Sequence, residues 1–247
     1  MRYNHFIYIV LLILSHSFVI AQDRPFITLF SGMTIDHGAF INPLHYDCFS
    51  ADWHPIIITG SDFMLDFSGA TLWGSDESTS PDDYKGIAII IRDAKNIRIN
   101  NLFIHRFHTA IFIENADSIF INNSDLSYGF RPRIFSQSVY NNAADRLSFR
   151  DNNQQQWSQF GSAIYGTNVK NSTFESIRIT NGFNGILLDQ SSDNTIMNCA
   201  ITFNSGVGIG LYKSDHNIIQ HNKIDYNVRG FSHLFYPIGE GAAGVLL

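Results

Sequence analysis

Two carboxylates, Glu114 in "AIFIEN" and Asp189 in "GILLDQ", occupy the same place in two similar stretches, four residues after a small side chain. A pair of carboxyl groups about 6.5–9.5 Å apart suits inverting hydrolysis of a glycosidic bond, with one protonating the leaving oxygen while the other activates water. Tyr212 holds the matching place in "GIGLYK", and Lys213 follows it. A second set lies in "VRGFSHLFYPIGEGA" (228–242), which carries Arg229, His233, Tyr236 and Glu240. Taking the proton alpha to a uronate carboxylate needs a base, here His233 or Tyr236. It also needs a cation to steady the charge that forms, here Arg229 or Lys213. The catalytic candidates are therefore His233, Arg229, Lys213, Asp189 and Glu114, for lyase or hydrolase chemistry.

Binding candidates are aromatic rings and guanidinium groups. Arg131 and Arg133 lie in "YGFRPRIF" and Trp157 in "QQQWSQF"; Tyr212 and Tyr236 complete the set. Aromatic faces stack on sugar rings, and an Arg fork holds a carboxylate through two hydrogen bonds. His105 and His108 are three apart, which puts them on opposite faces of a strand and argues against a zinc pair. His216 and His221 read as turn and surface residues. No motif calls for a cofactor; calcium alone stays open as a bound ion.

The elements that must position these groups repeat. "GILLDQSSDNTIMNCAITFN" from Gly185 returns as "GIGLYKSDHNIIQHNKIDYN" from Gly208. Copies that begin with a small residue start at Gly86, Ala110, Ala163, Gly185, Gly208 and Gly244, which are 24, 53, 22, 23 and 36 residues apart. The two long steps read as one period plus an insertion, at about 127–162 and 228–242. Each copy holds three short β-type segments separated by Asn, Ser, Asp or Gly, too short and too rich in alternating Ile and Phe for helices. A period in the low twenties with three strands per period predicts a coil whose turns stack in parallel, since one turn cannot bury its own apolar side. Ile87, Ile111, Ile164, Ile186 and Ile209 are expected in one inward column, and Ile89, Ile113, Leu188 and Leu211 in another. The outward column is expected to read Ile90, Glu114, Thr167, Asp189, Tyr212. Asn115 with Asn168, and Asn194 with Asn217, are expected to form amide ladders.

This repeat, with the opening "DFSGATLWGS" (66–75), resembles the right-handed parallel β-helix family within the pectate-lyase-like superfamily of sugar-binding and sugar-cleaving proteins. The resemblance covers about residues 56 to 247 and implies an all-β, right-handed solenoid of about six turns. Residues 22–55 read as an entry segment. The motifs of the polygalacturonases, pectate lyases and mannuronan epimerases are absent, so the resemblance names no single activity. It implies a polysaccharide-active protein. The alternatives are a carbohydrate-binding or surface-structural β-helix without catalysis, and a periplasmic accessory protein of the copper-enzyme maturation kind. "AGVLL" begins a further rung as the sequence stops, which reads as truncation or as an end covered by a partner, with self-association through an uncapped rung.

The bulk properties agree. A net charge of -6 with no basic run argues against nucleic acid as a partner. Arg2, the apolar run "FIYIVLLIL" and the small residue Ala21 read as a signal peptide over residues 1–21, cut before Gln22. The product is then secreted or periplasmic, with no membrane segment after cleavage. Cys48 and Cys199 are expected as free buried thiols rather than a disulfide.

Overall fold

The computed structural model describes residues 24–50, 52–133, 147, 160–228 and 244–247. Within them the strands wind into a coil, and every strand pairing is parallel. Each rung has three faces. The first face is built by the early part of Ile87–Asn100 and of Thr109–Asp125, then by Ser162–Lys170, Asn184–Asp189, Ile209–Tyr212 and Val245–Leu246. The long strands bend round a corner and supply the second face, which Thr173–Thr180, Thr195–Met197 and Ile218–Gln220 continue. His45–Asp47, Thr71–Trp73 and Ile104–His105 open the third face, and Ala200–Thr202 lies further along it. The entry segment already joins the stack, for Ala39–Ile41 and His45–Asp47 pair with the strands that follow them.

Inward residues form the core. On the first face the column runs Ile89, Ile111, Ile164, Ile186, Ile209, all fully buried. On the second face it runs Leu65, Ile99, Ile121, Phe174, Ile196. Ile87 does not head the first column as the anchor at Gly86 implied; it pairs with Thr109. The second column likewise starts at Ile91 and runs through Ile113, Gly166, Leu188 and Leu211. The small residue Gly86 therefore marks the earliest copy two residues ahead of its true register.

The corners account for that slip. Among the described residues, the non-glycine positions with positive φ fall into four columns, Asp62 excepted. They are Asp93, Asn115, Asn168, Gln190, Lys213; Asn96, Ser118, Asn171, Asp193, His216; Asn101, Asn123, Ser176, Asn198, His221; and Arg106, Tyr128, Asn181, Phe203, Tyr226. Every column steps by 22, 53, 22 and 23 residues. The first step is thus 22 rather than 24, because the sharp turn and not the small residue before the strand fixes the register. Asn and Asp lead these columns since their short side chains tolerate the left-handed conformation.

Polar ladders line the inside of the corners in the later rungs. The Asn194 side chain is fully buried. It accepts from the Ser172 backbone N–H at 2.9 Å and donates to the Val169 carbonyl at 2.9 Å and to Asn217 Oδ1 at 3.0 Å. The outer ladder forms as well, with Asn168 donating to Asn115 at 2.9 Å. Cys48 and Cys199 are free and buried, and burial pushes the Cys48 thiol up to about 12.

Replacing Asn194 with Ala strands the Ser172 N–H in the core and leaves the Val169 carbonyl with the Ser192 N–H alone. At about 1–3 kcal/mol for a buried donor left unpaired, N194A should lose about 1–3 kcal/mol of stability in denaturant titration. The exposed ladder should tolerate Asn115→Asp far better. Equal losses at the two sites would contradict the buried-ladder account.

Candidate functional site

The first face ends abruptly at the corner that holds Gln190 and Lys213, where φ reaches 49° and 48°. Asp189 and Tyr212 are thus the last outward residues before the backbone turns away. Ser191, just past the turn, clamps this end: its hydroxyl donates to the Asp189 carbonyl at 2.8 Å and accepts from the Val169 N–H at 3.0 Å. The outward column at this edge reads Arg92, Glu114, Thr167, Asp189, Tyr212. Arg92 stands where Ile90 was expected, for the reason of register given above. The insertion after Asp125 leaves the stack intact, since Thr167 pairs with Glu114 on one side and Asp189 on the other. Two rungs separate the carboxylates, roughly 10 Å of backbone at about 4.8 Å per rung.

The two carboxylates have unlike surroundings. Glu114 is half-buried. Asp189 is 1% exposed, and its Oδ1 lacks a hydrogen-bond partner among the described residues. Burial pushes its carboxyl above the usual range, while the Gln190 side chain and the Lys213 charge pull the other way. The apolar surroundings come from the neighbouring outward column. Phe112, Tyr165 and Leu187 are in register, and the Phe112 and Tyr165 rings stack at 5.5 Å. Leu147 is buried against this group, and Phe160 and Tyr212 pack beside it. Burial also holds the Tyr165 hydroxyl above its ordinary range, with the Asp189 charge adding to the effect. The Lys213 ammonium lies 5.1 Å from the centre of the Tyr212 ring.

Thus Glu114, Asp189, Tyr212 and Lys213 meet at one edge of one face. Arg131 and Arg133 do not join them. They follow the corner at Tyr128, which opens the face rather than closes it. There the Arg131 N–H donates to the Pro81 carbonyl at 3.0 Å, and Arg133 Nε lies 3.9 Å from Asp82. His233, Arg229, Tyr236 and Trp157 lie outside the described residues. Tyr165 carries no motif of its own; only the strand period of two, counted back from Thr167, marks it as outward.

The third face carries a histidine and aromatic column instead. The Trp73 and His105 rings lie 5.2 Å apart, His105 and Tyr128 5.3 Å, and the Arg106 guanidinium sits 4.5 Å from the Trp73 ring. His105 is buried and contacts Asp125 at 3.3 Å. His108 instead lies beside Phe130 at 4.6 Å. His216 and His221 are exposed at left-handed corners. No group of three or more His, Cys, Asp or Glu suited to a metal ion occurs among the described residues.

A family model described as a right-handed beta helix region matches residues 87–237, more than half of the chain. The chain belongs to this right-handed β-helix family. No curated protein matches the sequence. The match to this β-helix spans both outward columns of the first face and all four corner columns.

The buried acid makes a pH-dependent prediction. Below the ordinary carboxyl value of 3.8, native and unfolded chains both hold the Asp189 proton. As pH rises, the unfolded chain releases its proton first, so this group's contribution to stability falls until Asp189 itself ionises. Asp189→Asn removes that titration. The Tm of D189N relative to the parent should rise from acidic toward neutral pH and then level off. A difference independent of pH would mean that the carboxyl is not desolvated.

Proposed function

We propose that this β-helix is an exported protein that holds an acidic polysaccharide against its first face and hydrolyses a glycosidic bond there. The observation that carries the reading is the pairing of a buried Asp189, whose carboxyl burial pushes up, with a more accessible Glu114 two rungs away. Acid–base cleavage requires two carboxyl groups in unlike surroundings, one of which holds its proton more tightly. In its neutral form Asp189 donates its proton to the leaving glycosidic oxygen as the bond to the anomeric carbon breaks. Glu114 accepts a proton from the water that attacks the opposite side of that carbon. The two-rung spacing leaves room for this water and favours inversion over a covalent intermediate. Arg92 at one end of the column and Lys213 at the other supply positive charge for an acidic polymer, and Tyr212 offers a ring face between them. The leader read over residues 1–21 supports export.

The test incubates the secreted protein with acidic and neutral polysaccharides and reads new reducing ends beside ultraviolet absorbance. Reducing ends without absorbance are the expected result. Asp189→Asn and Glu114→Gln should each lower turnover by about 10²–10⁴-fold, the usual worth of a general acid or base, and retain glycan binding. Absorbance from an unsaturated product would instead assign elimination and move the chemistry to Arg229, Lys213 and His233. Binding with no product would leave a carbohydrate-binding module.

A further inference from the structure

The corner that opens the first face is built unlike the other three. Elsewhere the left-handed positions hold mostly Asn, Asp, Ser and His. Here they hold Arg106, Tyr128, Asn181, Phe203 and Tyr226. A bulky side chain at φ near 56° is disfavoured, because its Cβ crowds the next carbonyl. Asn181 demonstrates that the corner accepts the easier residue. Burial does not offset the strain, for Tyr128 is 45%, Phe203 56% and Tyr226 66% exposed. Strained residues kept at the surface point to a role outside folding.

The geometry of the rings is specific. Phe203 and Tyr226 stack with centroids 4.9 Å and planes 8° apart. That separation matches the rung spacing, so the rings lie across the coil axis, one above the other. One face of Phe203 meets Tyr226. The other looks along the axis toward the Asn181 rung, where a short side chain leaves a gap. A groove of about 470 Å³ opens there, lined by Arg131, Pro132, Asn181, Phe203, Ser205 and Tyr226 among others. Its size falls in the range of small-ligand sites, about 300–1,000 Å³. Arg131 is exposed at its wall, and among the described residues no carboxylate forms an ion pair with it.

The geometry points to a subsite at this corner for one sugar ring bearing an anionic group. The apolar face of the ring stacks on Phe203, with Tyr226 behind it as a second layer. The carboxylate or sulfate of the ring takes the Arg131 guanidinium, and Asn181 and Ser205 offer hydrogen bonds to hydroxyls. This inference rests on the glycan reading above and deepens it. The five-residue span from the start of the face to Asp189 is about 17 Å, so the subsite anchors the polymer away from the bond that breaks.

Phe203→Asn is the decisive variant, because Asn suits the left-handed corner and the protein should fold with a Tm at or above that of the parent. Arg131→Gln tests the anion, and Asp189→Asn reports on cleavage separately. Each protein is titrated with a uronate oligosaccharide, a sulfated oligosaccharide and a neutral one of equal length. The parent should prefer an acidic ligand. F203N should weaken binding about tenfold, and R131Q should abolish the preference for the anion. D189N should bind as the parent does. Preference for the uronate or for the sulfate names the anion and supports the subsite either way. Unchanged acidic-glycan affinity in a folded F203N overturns the subsite while leaving the glycan reading intact. A parent that binds none of the three overturns both.

Discussion

The coil depends on its corners, where the backbone passes through positive φ four times in each complete rung and crowds the Cβ of the residue that stands there. Four turns at a constant spacing are what let the strands of one rung lie over those of the next. A shift of one residue at any corner would turn the apolar column of the following strand outward. The 53-residue step shows how firmly the corners hold: after the insertion, Ser162–Lys170 returns to the register of Thr109–Asp125 without a bulge.

Corners also leave backbone groups that the strand ladders do not reach, and the interior answers this differently along the coil. Ile97 and Ile119 stand just past one corner in the early rungs; Ser172, Asn194 and Asn217 stand there later. The polar side chains bond to the backbone of the rung below, so packing gives way to hydrogen bonding at the same place in the fold. Asn204 and Asn227 do likewise at the corner that opens the first face, where the Asn204 amide donates to Asn227 Oδ1 at 2.9 Å. A firm floor of this kind underlies the exposed Phe203 and Tyr226 rings.

The proposed chemistry of the first face draws on two unlike edges. At its closing edge, the Phe112, Tyr165 and Leu187 column excludes water and raises the proton affinity of Asp189. At its opening edge, rings and a cation stand in solvent. An extended polymer lying across the face would meet the second as a hold and the first as a reacting centre. The third face, with Trp73, His105 and Arg106, is a separate surface on which no part of this reading relies.

Much of this was legible in the residues. The step of 22 or 23, the triple strand pattern and the recurring Asn residues call for a parallel coil, because only stacking buries one side of so short a repeat. The alignment of Glu114 with Asp189 followed from that period alone. The small residue Gly86 places the first copy two residues off, because small residues before a strand are weaker markers than the left-handed corner after it. What the tertiary structure alone decided was environment. Nothing in "GILLDQ" distinguishes a solvated Asp from a buried one; the apolar group on neighbouring rungs does. Nothing local in "ITFNS" and "KIDYN" announces a paired aromatic surface either. Phe203 and Tyr226 are 23 residues apart in the chain, and only the stacking of rungs brings their rings within 4.9 Å.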